Sequence, residues 1–173
     1  MNSYLFFTLS IILIFSDSLI PASCINLYES VCDDTLHGYK DPCLRLLQSD
    51  RKIATAKNYV DLTNSILDMA LAKATYGQVY ISNFNKKNQP PAIKECATTH
   101  YPGCISSFKK AKAELVKNPV AASYAARLAG DGPDYCADAI KAANIDDHKI
   151  FNINRMVLLL SDIASVSARK LVK

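Results

Sequence analysis

Between Ala56 and Lys87 no proline interrupts the chain, and Leu62, Ile66, Met69, Tyr76, Tyr80 and Phe84 recur at intervals of three, four or seven. Val60, Leu67, Ala70, Ala74 and Ile81 form a second stripe beside them. Such spacing keeps returning to one side of a 3.6-residue turn and predicts one long helix with a wide apolar face. Gly77 is its weak point, costing about 1 kcal/mol relative to alanine. The polar run NKKNQPP ends the pattern, and Pro91 suits the first turn of a new helix, where a missing N–H is no loss. From Ala92 to about Lys117 the period returns, with Cys104, Phe108, Ala111 and Leu115 on one face. Pro102-Gly103 lies inside it and should kink or split that helix.

An alanine-rich third segment, VAASYAARLAGDGPDYCADAIKAA, reads as helix with a turn or restart at Pro133. Asp146 or Asp147 can cap the last segment, KIFNINRMVLLLSDIASVSARKLVK. There Ile153, Met156, Leu160, Ile163, Ser167 and Leu171 share a face, and basic residues crowd the final turns, as the helix dipole favours. Two shorter helical pieces, about Asn26 to Asp33 and Asp41 to Gln48, precede these four, each too short to be stable alone. Nothing alternates with period two for long enough to argue a strand. The expected fold is all-α: an up-down-up-down four-helix bundle over residues 56–173, preceded by a helical hairpin over residues 25–50.

The N-terminus follows another rule. Tyr4 to Phe15 is a twelve-residue apolar run ended by Asp17, too short to span a bilayer and suited to the core of a secretory leader. Cleavage after Cys24, with Ala22 at −3, best fits the small-x-small rule, and makes residues 1–24 the leader. Cleavage after Ala22 or Ser23 would put the poorer residues Ile20 or Pro21 at −3. No later stretch of twenty residues is continuously apolar, so no membrane span is expected once the leader is removed.

Secretion bears on the cysteines. Cys32 and Cys43 bracket a loop containing Gly38 and Pro42, and in an oxidising compartment such a pair becomes a disulfide. No CxxC motif and no Cys/His set with ligand spacing supports redox or zinc chemistry, since His100 and His148 stand singly. A Cys32–Cys43 bridge would staple the N-terminal hairpin and contribute about 3 kcal/mol in the chain-entropy account. Cys104 aligns with the apolar face of its helix and is expected as a buried, inert thiol. The competing expectations are a reactive thiol exposed by a kink at Pro102, or a bridge to Cys24 if that residue survives processing.

Charge and chemistry narrow the function. The 173 residues carry 20 Lys and Arg against 16 Asp and Glu, a formal net charge of +4. The basic residues are dispersed, apart from Lys109, Lys110 and Lys112, which does not favour nucleic acid; weak attraction to anionic pectin, or solubility alone, suits such a charge equally. No GxSxG, HExxH or glycine-rich phosphate loop appears, and neither metal nor cofactor is expected. The pairs Asp33-Asp34 and Asp146-Asp147 are adjacent on the chain, do not converge, and read as helix caps. A lipid-transfer protein would carry eight cysteines with CC and CxC motifs, and this chain has six cysteines and neither motif.

The stretch INLYESVCDDTLHGYKDPCLRLL, with Cys32, Thr35, Cys43, Leu44 and Leu47, resembles the opening of the plant invertase inhibitor and pectin methylesterase inhibitor family. AIKECATTHY resembles the family's third cysteine followed closely by a tyrosine, here Cys96 and Tyr101, and DGPDYCADAI its fourth cysteine, here Cys136. The resemblance covers nearly all of the chain after the leader. It implies bridges Cys32–Cys43 and Cys96–Cys136, and a secreted cell-wall or vacuolar inhibitor without catalysis of its own. Its partner would be pectin methylesterase or acid invertase, bound one-to-one. The Cys96 to Tyr101 spacing looks one residue longer than the family's, and Cys104 is extra. The Pro-Lys-Phe tripeptide of cell-wall invertase inhibitors is absent, and Asn118-Pro119-Val120 stands in its place. The family's contact regions converge on the end of the second bundle helix and the start of the third. Lys109, Lys112, Lys117, Asn118, Ser123 and Arg127 are the exposed candidates there.

Overall fold

The computed structural model describes residues 26–172. The expected leader, its cleavage after Cys24 and the fate of Cys24 itself lie outside the described residues. Every regular element among the described residues is helical. Helices α1 (Leu27–Asp33) and α2 (Lys40–Gln48) form the N-terminal hairpin, joined by the Cys32–Cys43 disulfide with Cα atoms 5.6 Å apart. Gly38 adopts φ +87°, the left-handed conformation that glycine enters without steric cost. A four-residue helix, α3 (Arg51–Ala54), follows, and no periodicity announces it. Asp50 caps it by accepting from Lys52 and Ile53 N–H groups at 2.8 and 3.3 Å, and Ile53 is buried beneath it.

Asp33 and Asp34 do not cap the start of a helix, contrary to expectation. They lie at the C-terminal end of α1, where a carboxylate opposes the helix dipole, and each is matched by a lysine. Asp33 pairs with Lys40 at 2.7 Å and Asp34 with Lys170 at 2.6 Å. Lys170 also donates to Ser30 Oγ at 3.0 Å, and the Leu36 N–H donates to Asp162 at 3.2 Å. These contacts fasten the hairpin to the last helix of the bundle.

The bundle has four columns. The first is α4 (Tyr59–Asn83), capped by Asn58, whose side chain accepts from the Asp61 N–H at 2.9 Å. It stops short of Lys87 because Asn85 turns to φ +44° and Gln89 folds back to donate to the Ile81, Ser82 and Phe84 carbonyls. The second column runs from α5 (Pro91–Glu95) through one π-helical turn (Cys96–His100) into α6 (Tyr101–Glu114). The third is α7 (Pro119–Leu128) followed by α8 (Asp131–Ala142), with Pro133 in the first turn of α8 as expected. The fourth is α9 (His148–Arg169), capped by Asp147, which accepts from the Ile150 N–H at 2.7 Å. Going round the bundle, α4 packs on α6, α6 on α7, α7 on α9 and α9 on α4. Among the described residues α9 alone is long and apolar enough to cross a bilayer, and most of it is buried in this core.

Pro102 neither splits nor ends the second column. In a regular helix its ring would meet the carbonyl four residues back, at Thr98. The chain widens just before it, so that the Tyr101 N–H bonds the Cys96 carbonyl five residues earlier. Residues five apart diverge around a 3.6-residue turn; the wider turn brings both Cys96 and Tyr101 to the core, each fully buried. The longer Cys96–Tyr101 spacing is thus taken up as a π-bulge, the form a local excess residue takes inside a helix. Cys96 is bridged to Cys136 of α8, Cα atoms 5.0 Å apart, which ties the second column to the third.

Tyr101 is the largest fully buried side chain, and its hydroxyl donates to Asn154 Oδ1 of α9 at 2.7 Å. Burial pushes its phenol pKa well above the ordinary value, with the neighbouring Cys104 adding to the effect. The ring lies against Gly77: a Cβ added there would stand 2.6 Å from Tyr101 Cε1 and 2.7 Å from Ile153 Cγ2. Gly77, read as a weakness of α4, is the space that Tyr101 fills. Cys104, one turn on, pairs with no cysteine among the described residues and is buried; burial pushes its thiol up to about 12.

Two outcomes follow. Gly77→Ala should destabilise by about 2 kcal/mol, because overpacking at the upper end of its usual range, about 3 kcal/mol, outweighs the roughly 1 kcal/mol gained in helix propensity. Urea unfolding checks this, with an unchanged or raised midpoint as the contrary result. Cys104 should resist a bulky maleimide in the folded protein at pH 8 and react once the chain is unfolded in denaturant, since the buried thiol holds its proton there.

Candidate functional site

Among the described residues no group of three or more His, Cys, Asp or Glu side chains could hold a metal ion. Of the acidic pair Asp146-Asp147, Asp147 caps α9 and Asp146 is exposed beside it, and Cys104 is enclosed. What remains is surface, and its most distinctive part is the corner where α6 passes into α7.

Asn118 makes that corner. Its side chain accepts from the Ala121 N–H at 3.1 Å and caps α7, while Pro119 takes the first helical position. Inward, α7 presents Ala122, Ala125, Ala126 and Ala129, whose small side chains let the helix approach α9 closely. Outward, Val120, Tyr124 and Leu128 recur at four-residue steps and form an exposed apolar ridge, with Val116 beyond the corner. Tyr124 is 64% exposed and Val116 73%. Beside this ridge a groove of about 420 Å³ runs between α7 and α9, walled by Val120, Tyr124, Arg127, Arg169 and Val172.

The expected site residues fall into three groups. Lys117, Asn118 and Arg127 are exposed on the α6–α7 corner and along the ridge. Lys109 and Lys112 are exposed too but lie one turn apart on α6, and Lys112 is ion-paired with Asp68 of α4, which places it on the far seam of that helix. Ser123 is not exposed, contrary to expectation. It is 7% exposed at the floor of the groove, where its hydroxyl donates to the Ser165 carbonyl at 3.0 Å. The alanines around it draw α7 down onto α9, so a small polar residue at that position meets backbone instead of water. The apolar ridge is what the reading from sequence left out. Its signal was the step of four through Val120, Tyr124 and Leu128, set apart from the alanine stripe.

Charge is segregated along this face. No carboxylate lies within ion-pair distance of Lys109, Lys117, Arg127 or Arg169 among the described residues. Arg169 leans on Ser165 Oγ at 3.4 Å. Further along, Arg127 borders a second depression where Asp131, Asp134 and Asp162 gather. An apolar ridge beside cations that stand outside ion-pair distance of any described carboxylate has the composition of a docking surface.

The described residues thus form an all-helical, doubly bridged bundle with an exposed apolar ridge at one corner. The chain belongs to the plant invertase/pectin methylesterase inhibitor family, whose model matches residues 26–168. Proteins of this family inhibit enzymes of the pectin methylesterase or invertase kind and are not enzymes themselves. Two solved structures share the fold. A mutant form of a pectin methylesterase inhibitor from Arabidopsis is 23% identical, with 84% of this chain and 97% of that one aligned and a TM-score of 0.74. A pectin methylesterase inhibitor from Arabidopsis thaliana, also 23% identical, aligns over 84% and 96% with a TM-score of 0.63. No curated protein matches the chain significantly.

Asn118→Ala should lower stability by about 1 kcal/mol through loss of the cap. The first turn of α7 should exchange its amide hydrogens faster while α4 and α9 stay protected. Hydrogen exchange followed by mass spectrometry checks this, and uniform loosening of the bundle would contradict it.

Proposed function

We propose that this protein inhibits pectin methylesterase by binding it one-to-one across the active-site cleft. The α6–α7 corner and the ridge behind it form the contact surface. The observation that carries this reading is the exposed row Val120–Tyr124–Leu128, flanked by Lys117 and Arg127 with no carboxylate partners. Exposed aromatic and aliphatic side chains beside arginine are the composition of interface hot spots. Unpaired cations on the rim favour encounter with an acidic surface. Asn118-Pro119-Val120, where cell-wall invertase inhibitors carry Pro-Lys-Phe, is spent on starting α7 and supplies no lysine, which ranks acid invertase second. Ser123, beneath the ridge, supports it from below; Lys109 extends the contact along α6, and Lys112, held by Asp68 on the α4 seam, stands outside it. The cell wall is the compartment where such a target is met, with the vacuole the corresponding site for an invertase.

Titration of the purified protein against a plant pectin methylesterase and a plant acid invertase, from pH 4 to 7, tests the reading. Stoichiometric loss of pectin methylesterase activity is expected, with no turnover of pectin by the protein alone. Inhibition of invertase alone would reverse the ranking. Tyr124→Ala should weaken inhibition about 30-fold, the effect of a hot spot worth roughly 2 kcal/mol. Because Tyr124 is exposed, its melting temperature should stay close to that of the wild type; equal inhibition by this variant would remove the ridge from the interface.

A further inference from the structure

The opposite side of the bundle carries a second surface that the inhibitor reading does not use. Tyr76 and Tyr80, one turn apart on α4, lie in a stacked arrangement with centroids 6.5 Å apart and planes 23° apart. Tyr76 is 51% exposed. The Lys149 ammonium of α9 stands 4.3 Å from the Tyr80 centroid and 5.8 Å from that of Tyr76, so both rings turn a face toward it. Next to this platform a cleft of about 200 Å³ opens between α4 and α9, lined by Lys73, Tyr76, Lys149, Asn152, Ile153 and Met156.

Tyr80 is half-buried against the core, while Lys73, Tyr76 and Lys149 are exposed, so core packing accounts for Tyr80 only in part and for the other three not at all. The α4 residues buried in this half of the helix are Ala70, Ala74, Gly77 and Ile81. Neither Lys73 nor Lys149 has a carboxylate within ion-pair distance among the described residues. Asp147, the acid nearest to Lys149 in sequence, turns one oxygen to the Ile150 N–H as the cap of α9. Asp68, further down α4, is taken by Lys112. Lys86 and Lys87 follow α4 at the same end of the bundle and add positive charge without a paired acid. The neighbouring Tyr76 side chain raises the Lys149 pKa above the ordinary lysine value, so it stays charged.

We propose that Tyr76, Tyr80, Lys149, Lys73 and Asn152 form a binding site for a carboxylate-bearing sugar chain, an unesterified polyuronate of the pectate type. The flat C–H face of a pyranose ring takes the place of the Lys149 ammonium on the tyrosine platform, and the displaced ammonium, with that of Lys73, meets the sugar's carboxylate. The Asn152 amide can bond ring hydroxyls. Neutral sugars would lose the charge pairing, and a compact anion such as phosphate would lose the stacking. The choice of uronate as the sugar rests on the inhibitor reading, since pectin is the polymer on which the proposed target acts. The site lies on α4 and α9, away from the α6–α7 corner, so an inhibitor molecule could hold the polymer and the enzyme together.

The test is a titration of the full protein with an unesterified galacturonic acid oligomer, followed by amide chemical shifts. Shifts should cluster over residues 73–80 and 149–156, and the fully methyl-esterified oligomer should leave them unmoved. Tyr76→Ala and the double variant Lys73→Gln/Lys149→Gln should each weaken binding about tenfold or more. Lys52→Gln/Lys57→Gln, which removes the same charge elsewhere, should stay within about twofold of the wild type. Absence of shifts, shifts spread over all surface lysines, or equal weakening by the two double variants would overturn the site. Loss of enzyme inhibition in Tyr76→Ala with oligouronate binding intact would also overturn it, by assigning the platform to a protein interface. Inhibition is scored separately on the wild type, so a protein that binds the oligomer but inhibits no enzyme would sink the inhibitor reading alone.

Discussion

Tyr101 sits where three of the four bundle columns meet, and its position constrains all of them. The ring needs the missing side chain of Gly77 on α4, and its hydroxyl needs Asn154 on α9. Its own column can deliver it there only because the π-bulge rotates Tyr101 back toward the face that Cys96 occupies. A buried hydroxyl without its partner would cost about 1–3 kcal/mol, so the bond to Asn154 selects one rotation of α9 against α6. The Cys96–Cys136 bridge begins at the other end of the same wide turn, and so draws the third column into that arrangement. Gly132 shows how tightly the third column closes on the second: a Cβ there would stand 2.5 Å from the His100 carbonyl oxygen.

How much of this could be read from the chain depended on what each residue advertises. The four columns were legible because apolar side chains repeat at the helical period, and Asp147 and Pro133 sit where start signals belong. The stripe through Val60, Leu67, Ala70, Ala74 and Ile81 was read beside a bulkier one, and both reach the core: Leu62 and Ile66 of the bulkier row are fully buried, as are Leu67, Ala70, Ala74 and Ile81. Met69 and Tyr80 are half-buried and Tyr76 is exposed, because a straight helix of 25 residues turns such a row gradually off the core axis. Gly77 and Thr63 belong to the inner line and were invisible as apolar residues. Thr63 is admitted by its 2.7 Å hydrogen bond to Ser167, a partner 104 residues away that no local pattern can supply. The same limit hid α3, which is a cap and one buried isoleucine, and misplaced Ser123, whose partner is a carbonyl on α9. The proposed contact region at the α6–α7 corner came from the family resemblance, while the apolar ridge beside it emerged only when α7 had an inner and an outer side.

The two bridges have different tasks. Cys32–Cys43 closes a short loop and joins two short helices, while an ion pair from Asp34 to Lys170 and a hydrogen bond from the Leu36 N–H to Asp162 bind the resulting hairpin to α9. Cys96–Cys136 spans a separation of 40 residues and encloses the whole α6–α7 corner. A docking surface is most effective when little motion must be frozen on binding. The corner meets that requirement: it is closed covalently at its base, capped by Asn118 at its tip, and backed by alanines seated on α9.

The placement of α9 has a consequence for the order in which the molecule is made. This helix supplies the wall shared by α4 and α7, yet among the described helices it is the last to be synthesised. Until it emerges, the inner faces of α4 and α7 have no common partner, and the nascent protein is an open trough with its apolar lining uncovered. All four bridged cysteines precede α9, so both disulfides can close while the trough is still open. Their oxidation then shortens the search that α9 must make, and Lys170 can clasp Asp34 only when that search has ended. A nascent chain stalled before His148 would therefore be correctly bridged and still expose a core to anything that can bind it.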